Sequence, residues 1–395
     1  MKYNSLNTGG LAGSPNKGYL SFPSLILIPI ILHFLVFLAN KPLKMLVAEV
    51  EACSFDKWYD SFSKVTLLSK ILPLPVEVVQ YLKSDNGIVL PIECDDDKQH
   101  QNERDDWDEE TETSNCDNET SDEVLERPSF PAFSVAVRAA IADLGGAVLP
   151  KLNWSAPRDA SWMGLANSLR CTTLSEIILL LKSSEFVMHD LTQPYKDCDD
   201  NDNSIKDETS YILVLRRWST DLNPGSEYRC FVKNRRLFAV CQRDTTQHYK
   251  HIKDEKDSIK RDIQTFYDEY IESKLGYSST ENKVFTLHSH TNFVFDVIRK
   301  RKDVVRLLDF NPFGPTTDSL LFEWEELISD QVLQNINEIS FQFRFVENDA
   351  GIQPSGLRHY SIPTDFVDLS TGGDPHKFMD FLQLQQQMQH KTSNE

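Results

Sequence analysis

Several common signatures are missing from this 395-residue chain, and each absence closes a class of function. No Walker A GxxxxGK[ST] occurs and no HRD or DFG triplet, which removes P-loop nucleotidases and ordinary protein kinases. Cysteines are few and scattered, at 53, 94, 116, 171, 198, 230 and 241. An odd number without a CxxC pair gives neither a disulfide framework nor a zinc site, and it fits a reducing compartment. Basic residues are in deficit, 41 Lys and Arg against 60 acids, for a net charge of −19. No basic stripe is present to track a phosphate backbone, so nucleic acid is not expected as a partner.

The acidity is local. Residues 94–126 hold fifteen acids and two bases, and residues 197–208 hold six and one, together all but one unit of the net charge. The rest of the chain is nearly neutral. Residues 94–128 lack the apolar content to fold and read as a disordered insert, with the ordered body resuming near Ser129. The segment 197–208 reads as a surface excursion.

Only one long apolar run exists, Phe22 to Ala39. It is near the minimum length for a membrane span and carries Pro23, Pro29 and His33. Three readings stand for residues 1–44. A signal anchor would have Lys41 and Lys44 on its C-terminal side, a signal peptide would need a small-residue cleavage site that is not evident, and translation from Met45 would omit the run.

The remaining length suffices for a two-lobed α+β body. Residues 45–93 read as one or two helices with short strands, ending in a helix over 76–83. Ala132 to Leu144 has helical apolar spacing at 133, 137, 141 and 144, stopped by Gly145-Gly146, which read as a C-cap. Residues 147–154 read as a strand carrying Lys151, and Thr173-Leu174-Ser175-Glu176 is a capping box opening an apolar helix. Residues 211–218 are β-rich. Residues 227–232 and 237–243 flank a turn at 233–236, with Glu227, Arg229 and Phe231 on one face. Ser258 to Leu275 reads as an amphipathic helix with Ile259, Ile263, Phe266, Tyr270 and Ile271 inward, and a further helix starts at Asp318. Residues 129–345 form the expected core, and 346–395 a C-terminal segment with a frayed Gln-rich end.

The chemistry concentrates in two adjacent strand-like runs, 292–298 and 304–311. In a strand, residues i and i+2 share a face, so Asp309 and Asn311 present two oxygens side by side before Pro312 ends the strand. A hairpin turning at Lys302-Asp303 sets Asp296 opposite Asp309. Two facing carboxylates repel unless a cation lies between them. Two acids and an amide oxygen on one face are hard donors suited to Mg²⁺. Strand patterns elsewhere carry Lys151, Arg216, Arg217, Arg229 and Arg243, the cations that phosphate oxygens require. The set suits ATP with Mg²⁺, with strand 211–218 offering backbone groups and Trp218 to adenine.

The chain resembles the cell-division-cycle protein 123 family in Pro150-Lys151-Leu152-Asn153-Trp154-Ser155-Ala156-Pro157-Arg158-Asp159-Ala160, in Leu213 to Trp218, and in Pro224 to Val232. The likeness continues through Gln242-Arg243-Asp244, Phe293 to Asp296 and Leu308 to Gly314, and it covers roughly residues 45–330. That family's chains begin about where Met45 stands, which favours the reading without residues 1–44. The resemblance implies an ATP-grasp fold, two lobes enclosing ATP and Mg²⁺. It implies that Lys151 contacts phosphates, that Arg216, Arg217 and Trp218 lie at the adenine hinge, and that Asn153, Glu227, Arg229 and Arg243 line the nucleotide. Asp296, Asp309 and Asn311 would bind Mg²⁺. It also implies a cytoplasmic, monomeric chaperone that binds the γ subunit of eukaryotic translation initiation factor 2, promotes its joining to the α subunit, and supports the cell cycle without catalytic turnover. An ATP-grasp ligase or kinase acting on an unidentified acceptor is the alternative.

Overall fold

A computed structural model describes residues 45–97 except 86, 127–201 except 165 and 166, 210–275 except 221, 291–329 and 341–359. All of them belong to the second of two compact units, Leu43–Glu395. The apolar run 22–39, most of the acidic insert and the Gln-rich end lie outside the described residues. Among those described, no helix is long and apolar enough to cross a membrane.

Two sheets organise the body. The smaller has strand order β1-β3-β2, built from β1 (Ser69–Pro73), β2 (Val148–Lys151) and β3 (Ile212–Arg217), all antiparallel. The larger runs β7-β6-β4-β5-β8, from β4 (Glu227–Lys233), β5 (Arg236–Gln242), β6 (Phe293–Arg301), β7 (Val304–Asn311) and β8 (Gln342–Arg344). Its pairings are antiparallel except β5 with β8. The turn of the β4–β5 hairpin falls at Asn234-Arg235, both with positive φ, as the right-handed twist of a two-residue hairpin demands.

Strand β3 separates two cores. Alternation sends Leu213 and Leu215 toward the helices Val76–Lys83, Pro131–Asp143 and Leu174–Lys182, and Ile212 and Val214 toward the larger sheet. On the latter side the helix Phe55–Phe62 lays Trp58 edge-on and Phe62 tilted against Phe310 of β7, at ring separations of 5.5 and 5.3 Å. Each such buried ring contributes roughly 1.5–3 kcal/mol of transfer free energy, so this patch fixes the helix against the hairpin.

Several expected elements appear where their local chemistry puts them. The helix Pro131–Asp143 carries Pro at its first turn and ends at Gly145 and Gly146, with φ of 95° and 85°, where Gly146 N–H donates to Ile141 O at 2.9 Å. Thr173 Oγ1 accepts from Glu176 N–H at 3.2 Å and Glu176 Oε2 accepts from Thr173 N–H at 3.1 Å, so the capping box is present. The helix Val76–Lys83 has the expected bounds.

Three expectations need correction. The acidic insert does not begin at Cys94. That residue is buried, and Asp97 accepts from both Ser175 N–H and Ser175 Oγ–H, so Cys94–Asp97 pack with the folded body, as does Arg127, which donates to Asp95 Oδ2 at 2.7 Å. Tyr270 does not face inward. The helix Lys256–Phe266 passes into a π-helical turn, Tyr267–Glu272, whose wider winding buries Tyr267 and Ile271 and leaves Tyr270 39% exposed. No helix starts at Asp318; it forms only at Trp324–Ile328, because Leu320 adopts φ 58° upstream.

Candidate nucleotide and metal site

The hairpin β6–β7 turns at Lys302-Asp303, where Asp303 takes φ 61°, and pairs Asp296 with Asp309, Phe295 with Phe310 and Val294 with Asn311. The expected register therefore holds at its polar end. Toward the turn Val297 pairs with Leu307, so Leu308 is an extra residue in β7.

The two facing carboxylates are each held by cations. Asp296 is 1% exposed and accepts a fork from Arg229, Nε to Oδ1 and Nη2 to Oδ2 both at 2.8 Å, with Arg243 Nε 3.1 Å from Oδ2. Burial works to raise this carboxyl, but Arg229 and Arg243 overcome it and hold the pKa down at about 2. Arg243 also donates from Nη1 to Glu227 at 2.6 Å, and Arg229 from Nη1 to the Asp318 carbonyl at 2.7 Å. Asn311 donates from Nδ2 to Asp296 Oδ2 at 3.4 Å, so the residue stands beside Asp296 with its amide nitrogen, and not the expected oxygen, turned to that carboxylate.

Asp309 takes its cation from the other sheet. Lys151, at the end of β2 and 1% exposed, donates from Nζ to Asp309 Oδ2. Burial lowers the Lys151 pKa and the Asp309 charge partly restores it. Arg216 is also buried. Its Nη1 donates to Leu308 O at 2.7 Å and its Nη2 to Thr66 Oγ1 at 3.1 Å, while Nε has no partner. The Phe55 ring lies 5.3 Å from both the Lys151 ammonium and the Arg216 guanidinium. Lys151 and Arg216 thus cross from the smaller sheet to the hairpin of the larger one. Together with Glu227, Arg229, Arg243, Asp296, Asp309 and Asn311, they form one cluster.

Three residues expected here make contacts outside this cluster. Arg217 follows Leu213 and Leu215 on the opposite face of β3, and its Nε donates to Leu144 O at 3.0 Å, closing the C-terminus of the helix Pro131–Asp143. The Asn153 amide is engaged within the fold. Oδ1 accepts from Ile212 N–H at 3.0 Å and Nδ2 donates to Ser54 Oγ and Ser210 O. Trp218 stands half-buried just after β3. Its backbone N–H donates to Ala147 O at 3.0 Å and that of Arg217 to Leu68 O at 2.8 Å, so these two donors are used within the fold.

One contributor was not singled out in the sequence. Arg158 opens the short 3₁₀ segment Arg158–Met163, while its neighbour Asp159 is buried and tied to Ser184 Oγ at 2.6 Å. Arg158 is exposed, and the like charge of Arg243 draws its pKa down to about 10. Its signal was its place seven residues beyond Lys151 in a stretch already notable for that lysine.

Asp296, Asp309 and Asn311 supply hard oxygens of the kind Mg²⁺ takes, and the surrounding cations match phosphate chemistry. Among the described residues no group of three His, Cys, Asp or Glu side chains forms a metal cluster.

Comparison with known proteins places this arrangement in a lineage. The D123 family model matches residues 58–370. A translation initiation factor eIF2 assembly protein of Xenopus laevis is 43% identical over 355 residues, spanning 88% of this chain and 99% of the relative. The protein of that description from Danio rerio is 45% identical over 356 residues, spanning 88% and 97%. The solved structure of Cdc123 from Schizosaccharomyces pombe superposes with a TM-score of 0.57 at 33% identity, covering 77% of this chain and 98% of that one. With a match running from the Trp58 helix through the hairpin carrying Asp296 and Asp309, this chain belongs to the D123 family.

Proposed function

We propose that this protein is an assembly factor for translation initiation factor eIF2, working as an ATP- and Mg²⁺-dependent chaperone of ATP-grasp type. The eIF2 reading is supported by relatives described as eIF2 assembly proteins that align over nearly their whole length. The nucleotide reading is carried by one observation: Asp296, Asp309 and Asn311 cluster on one face of the hairpin, with Lys151 and Arg216 reaching them from a second sheet.

In this reading Asp296, Asp309 and Asn311 hold Mg²⁺, and Lys151, Arg229 and Arg243 neutralise phosphate oxygens, with Arg216 and Glu227 beside them. Bound nucleotide would supply the negative charge that joins the two sheets. A Lys151 that turned from Asp309 to a phosphate would free that carboxylate for the metal. ATP then acts through differential affinity, stabilising the arrangement that grips the γ subunit of eIF2 for joining to the α subunit. Turnover is not required, the protein acts as a monomer in the cytoplasm, and its contribution to the cell cycle follows from translation initiation.

Affinity purification of the full chain with and without ATP and Mg²⁺ tests this directly. The γ subunit is expected to co-purify more strongly with both present and to be lost with Asp309→Ala. Acceptor-stimulated ADP release that disappears in Asp296→Ala would instead establish the ligase or kinase alternative.

A further inference from the structure

Phe55, the first residue of the helix Phe55–Phe62, is completely buried, and its ring meets more than apolar neighbours. The Lys151 ammonium and the Arg216 guanidinium each stand over it, 5.3 Å from its centroid. Both cations are buried and come from adjacent strands, since Lys151 of β2 pairs with Val214, two residues before Arg216 in β3. Lys151 bonds the Asp309 carboxylate, whereas the bonds of Arg216 go to the Leu308 carbonyl and the Thr66 hydroxyl, both neutral. Burial disfavours a charged Lys151, and the Arg216 charge adds to that against the help of Asp309. Such a pair gains from any further negative potential.

The ring is fixed from two directions. The carbonyl of Asn153, two residues beyond Lys151, accepts from Phe55 N–H at 2.9 Å. The Asn153 side chain donates to Ser54 Oγ at 3.2 Å and accepts from Ile212 N–H of β3 at 3.0 Å. One residue thereby joins the start of the helix to the strands that carry both cations. Tyr59, a turn along the helix, stacks on Phe55 at 5.0 Å and 23°. Its hydroxyl accepts from Ser69 N–H at 2.9 Å and donates to Ser69 O at 3.1 Å, and Ser69 pairs with Arg216. Any large apolar side chain fills space, but only an aromatic face also offers negative potential to cations.

We propose, resting on the nucleotide reading above, that Phe55 is a positioning residue of that site, its ring face holding Lys151 and Arg216 in place for phosphate. Attraction between a ring and desolvated cations offsets part of the repulsion between them. Lysine carries its charge on a flexible stem, and one already held needs less ordering when a phosphate arrives. The helix Phe55–Phe62 thus belongs to the site through the two cations.

Fluorination separates this role from packing, because it strips the ring of its negative face with little change in size. Mono-, tri- and pentafluorinated phenylalanine are placed at position 55 of the full chain, beside the variant Phe55→Leu, and each protein is titrated calorimetrically with ATP and Mg²⁺. Affinity is expected to fall stepwise with fluorination, at least tenfold in the pentafluorinated form, and at least as far in Phe55→Leu. Constant affinity across the series overturns the proposal, and so does a loss confined to Phe55→Leu, which assigns the ring to packing alone. In the ATP-free protein the Lys151 ε-protons should resonate upfield, under the ring current, and return in Phe55→Leu; unshifted protons are equally fatal. If the unsubstituted protein binds no ATP, the nucleotide reading itself falls. Binding that ignores fluorination leaves that reading standing and removes only the part assigned to Phe55.

Discussion

Asp296 and Asp309 sit directly opposite each other on neighbouring strands, yet each carboxylate is neutralised from a different direction. Asp296 is gripped by two arginines of its own sheet, and Asp309 by a lysine of the other. The like charges that should push the hairpin apart are what tie β2 to β7. Of the two, only the Asp309 pair reaches across.

Removing one partner of that cross-sheet pair leaves the other buried and unpaired. Lys151 has 1% exposure, so Asp309→Ala is expected to cost about 3 kcal/mol, near the lower end for a broken buried pair. The double variant Lys151→Met/Asp309→Leu removes both charges and should recover most of that loss. Urea denaturation of the three proteins measures both effects, and a double variant no better than Asp309→Ala would disprove the unpaired-lysine account.

Two buried aspartates give opposite pH dependence. The Asp296 pKa is depressed to about 2 from 3.8, so its contribution is fully present above pH 4 and is lost as pH falls toward 2. Asp190 is raised to about 6, because burial outweighs its bonds from Ser155 N–H and Oγ–H, both at 2.8 Å. It favours the folded state when protonated, so its contribution is lost as pH rises from about 4 through 6. Asp190→Asn keeps a hydrogen-bonding amide there and should flatten the decline in stability between pH 4 and 6, read by thermal melts across that range.

Arg216 and Arg217 are adjacent in sequence and opposite in orientation. Arg217→Ala should leave ATP affinity within twofold of wild type and cost about 1 kcal/mol through the lost bond to Leu144 O. Arg216→Ala should weaken ATP binding at least tenfold. Equal effects of the two variants on nucleotide titration would contradict the division of faces.

Gly314, three residues past Asn311, lies against the Met45 thioether, and a Cβ there would overlap the sulfur. Met45 is itself 1% exposed, its backbone joined to that of Cys198 by an isolated parallel β-bridge, and its sulfur approached by Thr316 Oγ1 at 3.6 Å. Overpacking of this kind costs about 1–3 kcal/mol, so Gly314→Ala should lower the melting temperature and Met45→Ala should restore part of it in the double variant. Additive losses would show that the two residues do not share this space.

The sequence alone carried the local rules. Alternation put Asp309 and Asn311 on one face, and the turn at Lys302-Asp303 set Asp296 opposite, because a two-residue period and a short turn leave little freedom in register. The capping box, the paired glycines and the Asn234-Arg235 turn were equally readable, since each depends on neighbours within a few residues. Which strand-borne cation reaches the carboxylates was a matter of tertiary structure. That Asn153 also clamps two segments and that Arg217, next to Arg216, caps a helix were decided there as well. Leu308 as an inserted residue, Tyr267 replacing Tyr270 at the core and the pairing of Lys151 with Asp309 depend on contacts between elements far apart in the chain, which no local period encodes.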